Sequence, residues 1–291
     1  MLAHECGHGA FSASPLLNDV VGFVVHSLLG VPYFSWKYTH ARHHGGTNSM
    51  ERDEVFVPVT AQNAPLLDKP WGYSLPVRLT YFVITFTAGW PLYLALNVAS
   101  REHKGHWLVN HFTPWAPIFN KREAFYVALS DLGLVAVGAV VWKAAQAAGW
   151  AAVAKYYIVP VMVVNFWLVM ITFLQHTHPS VPHYSGEDWT WLKGALSTVD
   201  RSFGYTLDRI FHRIVDTHVA HHLFSYIPFY HAEEATNAIK PLLGEHYLVD
   251  HRPIFQALWQ DWGKCRYVDS EEATGKGVLW WKVDPICTKR D

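Results

Sequence analysis

The chain has 291 residues, a formal net charge of −1, 51% hydrophobic residues and only 16% charged ones. Soluble domains carry roughly 25% charge, so this balance, with aromatics at 15%, excludes a disordered chain and argues for a membrane protein, because Trp and Tyr gather where hydrocarbon meets water. It offers no basic footprint for nucleic acid, and three cysteines without paired spacing (Cys6, Cys265, Cys287) imply no disulfide framework and a reducing, cytosolic setting.

No signal peptide is expected, since Met1 to Ala3 run directly into a histidine cluster. Residues 20–36 are apolar but only 17 long and interrupted by Gly22, His26, Gly30 and Pro32, which predicts an interfacial or partly buried helix. Three later runs approach the roughly 20 apolar residues that a membrane span needs. Residues 79–100 carry no charge, 124–142 carry only Asp131, and 156–176 lack Lys, Arg, Asp and Glu. The more polar region 177–291 holds 12 of the 23 Lys and Arg residues, which places it in the cytoplasm. Within it, 231–246 predicts a helix with Ala235, Ile239 and Leu242 on one face, bent or shortened by Pro241. No repeat or flexible linker divides the chain, so a single domain is expected.

Histidine is the abnormal count, 19 in 291 residues. Eight fall into three clusters: His4 and His8, then His40, His43 and His44, then His218, His221 and His222. On a helix, i, i+3 and i+4 spacings put side chains on one face, where imidazoles can converge on an ion. The isolated histidines (His26, His103, His106, His111, His212, His246 and His251) are expected to be ordinary core or surface residues. His4-Glu5-Cys6-Gly7-His8 also matches H-E-x-x-H, the zinc-protease signature in which the Glu is general base. A single zinc leaves the other histidines unexplained, and eight ligands point to two metals among Fe, Cu, Zn and Ni. A membrane zinc protease and a non-catalytic metal-binding membrane protein stay as alternatives from other classes.

The three boxes resemble those of integral-membrane fatty-acyl desaturases. The segments HECGHGAFS (4–12), VPYFSWKYTHARHH (31–44), ERDEVFVP (51–58), LQHTHPSVPHY (174–184) and DTHVAHHLFSYIPFYHAEEAT (216–236) look like the microsomal oleate delta-12 desaturases and their omega-3 relatives, most like fungal members. The resemblance implies an all-α integral membrane fold, with transmembrane helices capped by a cytosolic histidine-rich helical domain, in the endoplasmic reticulum. It implies two Fe ions, O2 as oxidant, and electrons from NADH through cytochrome b5 and its reductase. The substrate implied is a membrane phospholipid bearing an oleoyl chain, which receives a cis double bond. An omega-3 desaturase and a hydroxylase, conjugase or acetylenase of the same fold are the rivals, and the sequence does not set the oligomeric state, a homo-oligomer included. The implied ligands are His4, His8, His40, His43, His44, His218, His221 and His222, with His176 as a ninth, one turn after Thr172, and His178 as its competitor. Asp53, Glu54, Asp200 and Asp216 are candidates to orient the imidazoles.

For the boxes to share one side of the membrane, the chain must cross an even number of times between His44 and His218. Gly89-Trp90-Pro91 interrupts 79–100, so that segment is expected to be re-entrant, with 124–142 and 156–176 forming a hairpin through a lumenal turn at 143–155 and the loop 101–123 cytoplasmic. Family members carry a leader and two transmembrane helices before the first box, which here begins three residues after Met1. An N-terminally truncated fragment, inactive or nearly so by itself, is the expectation.

Overall fold

The computed structural model describes residues 1–63, 74–269 and 277–282. Among them helices dominate: α1 (Leu2–His8), α2 (Pro15–Leu28), α3 (Tyr33–Gly46), α4 (Leu75–Leu96), α5 (Ala124–Ala148), α6 (Trp150–Val153), α7 (Val159–His176), α8 (Trp191–Leu196), α9 (Tyr205–Ile210), α10 (His218–Leu223), α11 (Phe229–Leu243) and α12 (Ile254–Lys264). A π-turn over Ala154–Ile158 joins α6 to α7. Two short strands, β1 (His183–Tyr184) and β2 (Val278–Leu279), pair antiparallel, with His183 opposite Leu279. Cys287 lies outside the described residues, as do 270–276 and 283–291 of the C-terminal region.

Three helical stretches are long and apolar enough to cross a membrane: Leu75–Leu96, Ala124–Ala148 and Trp150–His176. Their flanks bury little, and Leu132, Val135 and Val140 on α5 are each about two-thirds exposed (65%, 68% and 65%), as side chains facing lipid are. Both later spans outgrow their expected bounds, so the turn expected over 143–155 contracts to Gly149 at φ 83°. The interruption expected at Pro91 is absent. α4 runs on through that proline; the helix stops at Leu96, followed by Asn97 and Ala99 with positive φ.

Residues 20–36 form parts of two helices rather than one. α2 begins at the Ser14 cap, whose Oγ accepts from the Leu17 amide, with Pro15 as first helical residue. It holds Gly22 and His26 within it and ends before Gly30 (φ 73°) and Pro32, where the chain turns 108° into α3. α11 tolerates Pro241 but ends at Leu243, three residues short of the expected end, and gives way at Gly244 to a 3-10 turn.

The fold divides into two compact units. The first comprises Met1–Ala41, Thr85–Val98 and His103–Val169; its core gathers Cys6, Val31, Tyr33, Phe34 and Trp36, with Phe23, Trp90 and Leu129 packed around them. The second comprises Arg42–Ile84, Ala99–Glu102 and Met170–Asp291, and buries Met170, Leu174, Val199, Val215 and Val219. A smaller apolar cluster in it joins Cys265, Val268, Leu279 and Trp281 to Met50.

Candidate metal centre

The first unit brings three imidazoles together. α1 displays His4 and His8 one turn apart, and α3 supplies His40. His40 Nε2 lies 3.1 Å from His4 Nε2 and 3.0 Å from His8 Nε2. Nitrogens bound to one ion at about 2.1 Å sit about 3.0–3.4 Å apart, so the spacing matches shared ligation. Trp36 fixes the His40 ring by stacking on it, with centroids 4.7 Å apart and planes 18° from parallel. A Cβ on Gly7 would come within 2.4 Å of that indole, so glycine there lets α1 lie against Trp36. α1 stops just after His8 because Gly9 adopts φ 72° and turns its amide back to the Cys6 and Glu5 carbonyls.

The second unit gathers His43, His176 and His222, all buried, with ligand nitrogens within 4.8 Å of one another. His176 Nε2 lies 3.3 Å from His43 Nε2 and 3.1 Å from His218 Nε2. In each of the three boxed rings of this group, the other nitrogen meets an acceptor. His43 Nδ1 donates to Asp53 Oδ1 at 2.7 Å, and His218 Nδ1 to the Ile214 carbonyl at 3.2 Å. Thr47 commits its hydroxyl proton to the His43 carbonyl (2.6 Å), so its oxygen accepts from His222 Nδ1 at 3.1 Å. A neutral imidazole protonated at Nδ1 presents a lone pair at Nε2. In His43, His218 and His222 it is therefore Nε2 that could serve as a metal ligand. His222 Nε2 is buried and makes no hydrogen bond among the described residues, and burial holds the His222 pKa well below the usual range.

His44 stacks on His222 (4.2 Å, 19°), and its ring meets that of His221 edge-on at 4.6 Å. His178 is not in the group; its Nδ1 accepts from the Ser180 amide at 3.0 Å. The four candidate carboxylates divide. Asp53 meets an imidazole of the boxes by hydrogen bond, and it is itself held by the Asn48 and Val55 amides, each at 3.0 Å. Asp200 accepts from the Val219 amide at 2.8 Å and from the Tyr247 hydroxyl, which anchors α10 rather than a ring. Glu54 Oε1 accepts from Arg101 Nε and Nη2 (3.0 and 2.7 Å), and Asp216 pairs with Arg213 at 3.1 Å. Sequence reasoning missed Thr47, although its place four residues after His43 is a readable signal, and it missed the Ile214 carbonyl, which carries none.

The family model for fatty acid desaturase matches residues 1–253, most of the chain and all three boxes. The chain belongs to the fatty acid desaturase family. This desaturase is 51% identical over 282 residues to the endoplasmic reticulum omega-6 fatty acid desaturase isozyme 2 of Glycine max, an overlap of 97% of this chain and 73% of the soybean protein. It is 49% identical over 283 residues to a delta(12)-acyl-lipid-desaturase of Punica granatum and 48% identical over 283 residues to the oleoyl-12-hydroxylase of Ricinus communis, covering 97% of this chain and 72% of each. Its all-imidazole clusters suit a transition metal and give no foothold to the oxygen-seeking Mg2+ or Ca2+.

Proposed function

We propose that the protein is an O2-dependent acyl-lipid desaturase that introduces a delta-12 cis double bond into oleoyl chains of membrane phospholipid. Two Fe ions would be held by His4, His8, His40, His43, His44, His176, His218, His221 and His222. Electrons would come from NADH through cytochrome b5, with the boxes facing the cytosol at the endoplasmic reticulum membrane. The observation that carries the reading is the pair of imidazole groups: in the first unit His40 Nε2 lies 3.1 and 3.0 Å from those of His4 and His8, and in the second His176 Nε2 lies 3.3 and 3.1 Å from those of His43 and His218, with a ligand nitrogen of His222 within 4.8 Å of those of His43 and His176.

An oleoyl methylene has no acidic proton, so general-base chemistry cannot open it; bound iron with O2 supplies the oxidising chemistry. The protein's own part is electrostatic and positional. Asp53, Thr47 and the Ile214 carbonyl hold protons on Nδ1, which keeps the rings neutral and their Nε2 lone pairs available. The apolar helices seat the enzyme in the bilayer that contains its substrate.

A hydroxylase outcome has a specific observation in its favour: the Ricinus oleoyl-12-hydroxylase is as similar as several of the desaturases. Expression of the chain in a yeast that makes no linoleate, with fatty-acid profiling and metal analysis of the purified protein, tests the reading. Linoleate together with two irons per chain is the expected result for a competent enzyme. A hydroxylated oleate assigns the rival, and two irons with neither product overturn the proposed desaturation while leaving the metal reading. One zinc per chain overturns the proposal.

A further inference from the structure

His176 is the last residue of α7, and a helix end leaves its final carbonyls without intrahelical partners. Here one of them, that of Leu174, and the carbonyl of Thr177 just beyond are met by a side chain from elsewhere in the second unit. Arg201, fully buried, donates from Nη1 to the Leu174 carbonyl and from Nη1 and Nη2 to the Thr177 carbonyl at 3.3 and 3.2 Å. The same guanidinium is gripped from behind by Asp250 (Nε, 2.8 Å) and Asp261 (Nη2, 2.6 Å). Arg252 binds both carboxylates in turn, at 2.7 Å to Asp250 and 2.9 Å to Asp261, so two cations balance two anions.

Arg201 also holds the segment that leads into the third box. Its amide donates to the Val215 carbonyl at 2.8 Å, which also accepts from the Gln175 side chain at 2.8 Å. One residue before it, Asp200 holds the Val219 amide on α10. The turn that carries His176 and the segment that carries His218 and His222 are thus tied to the same two residues, 200 and 201. Burying a guanidinium and two carboxylates gives little stability over an apolar equivalent, so the network is better explained by the geometry it imposes.

Resting on the reading of His176 as a metal ligand, we propose that Arg201 is a positioning residue for His176, with Asp261 of α12 as part of the same clamp. Asp261 lies beyond residue 253, where the family match ends. A planar fork is required, because one group must serve two carbonyls and two carboxylates; a lysine ammonium cannot span them.

The test uses the full chain in detergent, as Arg201→Lys and Asp261→Asn. Carbethoxylation by diethylpyrocarbonate is mapped by peptide mass spectrometry on metal-free protein, and Fe(II) binding is titrated separately. In both variants His176 becomes reactive while His183, buried in the same unit, stays protected, and Fe(II) affinity falls about 10–100-fold. Unchanged protection and affinity in both overturn the proposal. So does exposure of His176 and His183 together, since that reports general loosening. If Arg201→Lys fails to fold, Asp261→Asn decides; if neither folds, the network holds the fold and not the ligand, and the proposal falls. Should the unaltered chain bind no Fe(II), the metal reading fails while the His176 footprint still judges the clamp.

Discussion

An imidazole has two nitrogens, and whatever binds one decides what the other can do. In the second unit that rule is carried by three different acceptors: a carboxylate for His43, a hydroxyl for His222 and a main-chain carbonyl for His218. Thr47 is the most economical of them, because one hydroxyl both braces the α3 backbone at His43 and orients His222. Thr47→Val keeps the volume and removes the hydroxyl, leaving His222 free to take the wrong tautomer. We expect Fe(II) affinity to fall about tenfold, with thermal stability lowered by about 1 kcal/mol, and Thr47→Ser to restore both. Equal metal titrations for the threonine and valine proteins would show that the hydroxyl is dispensable.

At the scale of elements, proline and glycine act by position more than by presence. Pro91 near the end of α4 leaves the helix whole, whereas Gly30 and Pro32, lying between helices, accompany a 108° bend that launches α3 with its three histidines. Gly149 alone joins α5 to α6, as a hairpin of two spans requires. Because α4 is unbroken, the even number of crossings between His44 and His218 now depends on how α4 lies in the bilayer rather than on a break in it. We expect a spaced glycosylation acceptor inserted at Gly149 to be modified in microsomes and one inserted at Lys104 to remain unmodified. Modification at Lys104 would place α4 across the membrane and the second and third boxes on opposite faces.

Over the whole molecule, His4, His8 and His40 gather in the first unit and His43, His176 and His218 in the second, so metal should stabilise both units by mass action. Chelation is expected to lower the melting temperature by about 5–10 °C, with recovery on adding Fe(II) but not Mg2+, which imidazoles bind poorly. Recovery with Mg2+, or no shift on chelation, would separate these histidines from metal binding. Much of this was legible in the chain itself. Uncharged apolar runs name the spans, because lipid tolerates little else, and i, i+3 and i+4 spacing names the boxed histidines, because a helix turns every 3.6 residues. Both are local regularities, written within one turn or one run. Which rings converge, which nitrogen each presents, and that Arg201 caps the helix of His176 were decided only by the tertiary structure. Those facts depend on pairs such as His43 with His176 and Arg201 with Asp261, 133 and 60 residues apart, whose meeting no local pattern encodes.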